Sequence, residues 1–135
     1  SLDSRWAHRP NFDWNKAELR HQSGTIEHRI FTALKKMIAV RKEILSFADF
    51  NNRELIPMDN PHLFVFSRFN LSAHGGDVLV VGNFDAKPQY LDLNSLGRSL
   101  KFKYGQIKDL YSGDRPAIFN DQLVVPPYHF YWLSD

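Results

Sequence analysis

A chain of 135 residues has room for one hydrophobic core and not comfortably for two, and its 43% hydrophobic, 14% aromatic and 24% charged residues, 11 of them Phe, exclude a disordered chain. A formal net charge of +2, with Lys and Arg evenly spread, lacks the electrostatic footprint of a nucleic-acid binder, and the absence of Cys excludes disulfides, zinc–thiolate sites and thiol catalysis. No apolar run approaches the roughly 20 residues of a membrane helix and residues 1–20 contain no signal-peptide core, so the chain reads as soluble, with no membrane partner, and cytoplasmic rather than secreted.

The chain opens on Ser1-Leu2 rather than Met, which suggests a piece of something longer. Asp3-Ser4-Arg5-Trp6-Ala7-His8-Arg9-Pro10 then places two guanidiniums, an indole, an imidazole and a carboxylate in eight residues without a hydrophobic period, and so reads as a loop. Arg offers a rigid fork of donors and Trp a broad apolar face, a combination suited to polar, ring-shaped or anionic ligands, although most loops of this kind carry no function. Residues 13–20 suggest a short helix with Asp13 as N-cap. From Thr25 to Leu45 the apolar residues Ile26, Ile30, Ala33, Leu34, Met37, Ile38, Ile44 and Leu45 recur at three and four, which predicts an amphipathic helix of about five turns. Ser23 or Gly24 is the expected N-cap, Glu27 suits the positive end of the helix dipole, and Arg41 and Lys42 suit its negative end.

Beyond Leu45 the helical period stops. Residues 63–69 and 77–84 read as an antiparallel hairpin around Ala73-His74-Gly75-Gly76, and residues 89–93 alternate as a strand after Pro88, a residue that belongs at a strand start or on an edge. Further strands are predicted over 101–104, 107–111, 117–119, 122–125 and 128–133. Short strands at spacings near ten residues predict a sandwich of antiparallel sheets. The fold class is therefore mainly β, an antiparallel β-sandwich preceded by a loop and one long amphipathic helix, with helical material to about Leu45 and β material after about Arg53.

Candidate chemistry is sparse. Asp109 and Asp114 flank Tyr111-Ser112-Gly113, where Asp and Gly are good turn formers, and His74-Gly75-Gly76-Asp77 reads as a hairpin turn because no Gly-x-Ser-x-Gly elbow accompanies it. The six His show no spacing that would make a metal site, and no cofactor is implied. His129 is placed half-exposed on the sheet. Tyr128, Phe130, Tyr131 and Trp132 would by alternation put about half of their rings inside, so core packing is favoured over a sugar-stacking face.

Three β segments resemble, in order, the C-terminal β-sandwich domain of the α-amylase superfamily: Val80-Val81-Gly82-Asn83-Phe84 leading to Pro88-Gln89, Asp109-Leu110-Tyr111-Ser112-Gly113, and a last strand opening Pro126-Pro127-Tyr128. The opening Asp3–Pro10 stretch, followed by a helix containing Met37-Ile38-Ala39-Val40-Arg41-Lys42, resembles amylosucrases and the similar sucrose hydrolases. The resemblance implies that residues 1–49 are the end of a truncated (β/α)8 TIM barrel, an active-site loop and the last helix, and that residues 50–135 are the C-terminal sandwich. It implies a substrate-binding role for Arg5, held by an aspartate from early in the barrel, with Asp3 and His8 as neighbours. The family's nucleophilic Asp, acid/base Glu and transition-state Asp come from barrel strands absent here, so no catalytic residue is assigned. The parent enzyme would be a retaining glycoside hydrolase or glycosyltransferase taking sucrose and α-glucan as partners, with this fragment inactive and its sandwich mainly structural.

A carbohydrate-binding module is the alternative and would need several exposed coplanar aromatics on one sheet face; another α-amylase-superfamily hydrolase or a trehalose-forming enzyme is the other. The apolar face of the 25–45 helix, left without barrel neighbours, predicts self-association of the fragment.

Overall fold

The computed structural model describes residues 11–69, 76–96 and 106–135, and the chain divides into two units, residues 1–39 and 40–135. In the first unit α1, Trp14–Glu18, begins where Asp13 accepts the Lys16 N–H on Oδ1 at 3.1 Å, as the N-cap expected there. A 3-10 turn over Leu19–His21 ends it. Gly24, at φ +91, then lets the chain reverse, and α2 runs over Ile26–Glu43. Its N-cap is Thr25, not Ser23 or Gly24: Thr25 Oγ1 accepts the His28 N–H at 3.1 Å and the Thr25 carbonyl accepts the Arg29 N–H at 3.2 Å. The Thr25 hydroxyl proton faces the carbonyls of Leu19, at 2.7 Å, and Gln22, at 2.8 Å, which ties the cap to the preceding turn. Glu27, Arg41 and Lys42 lie at the dipole ends assigned to them. No residue of α2 is buried.

The second unit is a sandwich of two antiparallel sheets. The larger has strands β1 (Arg53–Leu55), β2 (Leu63–Arg68), β3 (Val78–Asn83), β5 (Lys108–Asp109) and β8 (Phe130–Ser134) in the order β1-β2-β3-β8-β5. The smaller has β4 (Gln89–Asp92), β6 (Ile118–Phe119) and β7 (Gln122–Val125) in the order β4-β7-β6. β2 and β3 form the predicted hairpin, with Leu63 opposite Asn83 and Arg68 opposite Val78. Residues 70–75, which hold most of the expected turn, and the expected strand 101–104 lie outside the described residues.

Alternation builds the core. Leu63, Val65, Leu79, Val81 and Leu133 project from the larger sheet onto Leu91, Leu123 and Val125 of the smaller, and Leu93, Leu96 and Ile107 close the sides. Two details depart from expectation. β1 pairs with β2 over three residues, all exposed, too short and polar a run to be seen in the sequence. β5 keeps only two of the five residues expected, because the Gly113 N–H returns to the Asp109 carbonyl at 2.7 Å and closes a turn, with Gly113 at φ +85.

Two buried polar residues lock the loops to this frame. Asn83, 3% exposed, donates from Nδ2 to the carbonyls of Lys87 (2.9 Å), Val125 (3.1 Å) and Pro126 (2.9 Å) and accepts the Asp85 N–H on Oδ1 at 2.8 Å. Asp109, 1% exposed, accepts the N–H groups of Trp132 at 2.8 Å and Ser112 at 2.9 Å. Burial of such groups is tolerated only with partners, and both have them. Asp109 thus forms the turn expected of it, and its buried carboxylate also anchors that turn to the last strand.

Candidate functional site

Arg5, Asp3 and His8 lie outside the described residues, as do His74 and Gly75. Among the described residues, no group of three or more His, Cys, Asp or Glu is arranged to hold a metal ion. His129 precedes β8 and is exposed, its ring 4.6 Å from that of Tyr131.

The most distinctive surface is the outer face of the five-stranded sheet. Inward residues of β2, β3 and β8 are fixed by the core, so Phe64, Phe66 and Arg68 on β2, Val80 and Gly82 on β3, and Phe130 and Trp132 on β8 face the other way. Register lines them up. Phe64, Gly82 and Phe130 form one cross-strand row, and Phe66, Val80 and Trp132 the next. Phe84 folds back over the gap at Gly82: a Cβ there would lie 3.3 Å from Cε2 of Phe84, so a larger residue would push the ring away. Phe64 and Phe66 have centroids 5.6 Å apart, and Phe130 lies 5.8 Å from Trp132 and 5.0 Å from Tyr111.

One end of this face is covered by the chain itself. A 3-10 turn over Leu45–Phe47 lays the Phe47 ring edge-on to Trp132 at 5.0 Å, and both residues are buried. Arg68 holds this flap: its guanidinium lies 5.6 Å over the Phe47 ring, Nε donates to the Ser46 carbonyl at 3.2 Å, and its terminal nitrogen donates to the Asp49 carbonyl. Asn52 Nδ2 adds bonds to the carbonyls of Ser46, at 2.9 Å, and Phe69. Burial, then the neighbouring Arg41 and Arg53 charges, lower the Arg68 pKa from its usual value, and Asp49 opposes them. A guanidinium so placed stays charged across the physiological range.

The other end is open. Phe64 is 49% exposed, Leu55 62% and Phe84 73%. A groove of about 500 Å³ runs there between Arg53, Leu55, Phe64, Phe66 and Arg68. Leu55, Phe64 and Phe66 suit apolar packing, Arg53 and Arg68 add two cations at its margin, and none of the five is a nucleophile or a carboxylate that could cleave a bond. The outward role of Phe64 and Phe66 did carry a signal, since Leu63-Phe64-Val65-Phe66 is continuously apolar, the pattern of a strand covered on both faces rather than one. Of the terminal aromatics, Tyr131 packs toward the core, Phe130 and Trp132 face outward, and Tyr128, at φ 50, is 74% exposed, so about half face inward only if Trp132 under Phe47 is counted with the core.

With this geometry in view, the chain matches the family described as maltogenic amylase, C-terminal domain, over residues 53–132. The match begins at the first residue of β1 and ends within β8, so it embraces both sheets and both polar anchors.

Proposed function

The chain belongs to the maltogenic amylase C-terminal domain family, and on that premise we propose that it is the closing part of a retaining, amylosucrase-like enzyme that cleaves sucrose and passes the glucosyl unit to an α-glucan or to water. Residues 53–132 are a C-terminal β-sandwich domain of an α-amylase-superfamily glycoside hydrolase. In the proposed parent, residues 1–49 are the last loop and helix of a (β/α)8 barrel, with Arg5, assisted by Asp3 and His8, at the glucosyl subsite, and residues 50–135 are a packing domain. The sucrose assignment is supported chiefly by the Asp3–Pro10 stretch, followed by the helix that contains Met37–Lys42.

The packing role is supported by one observation: an aromatic sheet face, half covered by the chain's own Phe47 flap and open at Leu55, Phe64 and Phe84. Apolar surface left in water costs roughly 25 cal/mol per Å², so such a face calls for a covering body, and in the parent that body is the catalytic barrel. The α2 stripe of Ile26, Ile30, Leu34 and Ile38, each more than half exposed, is in the same position and supports self-association of the 135-residue chain.

The experiment is to express the gene with its upstream coding sequence and assay fructose release from sucrose beside glucan cleavage. The proposal expects fructose release from the complete enzyme, its near-complete loss in Arg5→Ala, and none from the 135-residue chain. Glucan cleavage without fructose release would remove the sucrose reading and leave the superfamily assignment standing.

A further inference from the structure

The opposite surface of the sandwich carries a second pair of exposed rings in a different chemical setting. On β4, Leu91 is 2% exposed and points into the core, so its neighbours Tyr90 and Asp92 point out, and the Tyr90 ring is 60% exposed. On β7, Leu123 and Val125 are fully buried, so Gln122 and Val124 point out. On β6, Ile118 packs on the core and Phe119 faces out, 68% exposed. Pairing places Asp92, Gln122 and Phe119 in one row across the three strands, with Tyr90 one pleat along from Asp92. Strand spacing of about 4.8 Å and a rise of about 3.4 Å per residue put the backbone positions of Tyr90 and Phe119 about 12 Å apart on one face. That span suits a short oligosaccharide and exceeds a single sugar.

Beside Tyr90 lies a groove of about 420 Å³ whose walls include Met58, Asp59, Asn60, Asp92 and Ser95. Its polar groups are held in place. Asp92 Oδ1 accepts the Asn94 N–H at 2.9 Å, Ser95 Oγ donates to the Asp92 carbonyl at 2.6 Å, and Asn60 is fixed by its 2.9 Å bond to Gln89 Oε1 and by the His62 N–H at 3.0 Å. Asp59 and Asp92 repel phosphates and other anions, and polar walls disfavour a wholly apolar ligand. A neutral ring with an apolar C–H face and hydroxyls at its edge matches both features, stacking on the aromatics and donating to carboxylate and amide oxygens.

We propose that this face is a secondary binding site for an α-glucan chain, with Tyr90 and Phe119 stacking two sugars separated along the chain and Asp59, Asn60, Asp92 and Gln122 binding their hydroxyls. The choice of an α-linked glucan rests on the enzyme class proposed above; the stacking surface does not. In the test, the 135-residue chain is titrated with maltoheptaose and followed by calorimetry and NMR. The proposal expects saturable shifts at Tyr90 and Phe119, weakening of about tenfold in Tyr90→Ala and in Phe119→Ala, and retention in Tyr90→Phe. Both rings are exposed, so unchanged thermal midpoints will show that the variants fold. An absence of shifts at either ring, or binding unaffected by both substitutions, overturns the site, whatever the complete enzyme does with sucrose. Equally tight binding of cellohexaose overturns the α-linked assignment.

Discussion

The backbone N–H of Trp132 donates to Oδ1 of Asp109 across 2.8 Å, joining the short β5 to the last strand across a sequence separation of 23 residues. The other carboxylate oxygen takes the Ser112 N–H, so one buried side chain satisfies the turn and the strand together. Removing it leaves buried donors without partners. Asp109→Ala is expected to cost about 3 kcal/mol of stability, read as a lower urea midpoint with an unchanged slope. Asp109→Asn should recover part of this, because one amide oxygen can keep the Trp132 N–H while its NH2 group faces the Ser112 donor.

Asn83 makes a sharper test, because its donor and acceptor ends are used differently. Nδ2 faces three carbonyls and Oδ1 a single N–H. Asn83→Ala is expected to cost about 2 kcal/mol. Asn83→Asp should cost more, although it is closer in shape, because a carboxylate oxygen would then face the carbonyls of Lys87, Val125 and Pro126. Thermal midpoints in the reverse order would contradict this account.

Tyr131 gives the fold an alkaline limit. Burial, and then the negative charge of Asp109, raise its pKa from 10.0. A group whose folded pKa is raised contributes its stability in full below the unfolded value, and that contribution is lost as the pH rises through the folded one. Denaturant midpoints should therefore fall as the pH passes about 10, and Tyr131→Phe should flatten that fall while leaving the neutral-pH midpoint nearly unchanged.

Phe64→Asp separates the two environments of the aromatic face. Phe64 is about half exposed in this chain, so the 135-residue protein should lose little stability. The complete enzyme, in which the proposed barrel covers this residue, should lose several degrees in thermal midpoint. Equal shifts in both would mean that nothing packs there.

Ile30→Asp combined with Leu34→Asp tests the α2 stripe. Both residues lie on the exposed apolar face of the helix and neither is buried. Sedimentation velocity at high concentration should show associated species for the unaltered chain and monomer for the double variant, with helix content preserved by circular dichroism. A clean monomer from the unaltered chain would end the proposal.

Local rules were enough for much of this chain. The three-and-four recurrence from Ile26 to Ile38 determined α2, Asp13 determined the start of α1, and the apolar runs at 63–69 and 77–84 determined the hairpin, because helix period, capping and strand propensity act over a few residues. The ordered segments around Asn83, Asp109 and Pro126 identified the domain before their reason was visible. Only the tertiary structure supplied that reason, since Asn83 and Asp109 bond to groups far along the chain.

Tertiary structure alone also decided which rings face water. Phe64, Tyr90 and Phe119 look in sequence like Val65, Leu91 and Ile118 beside them, and a shift of one residue in register would exchange the two sets. What determines the register is the burial of one continuous core between the sheets, a property of the folded chain as a whole.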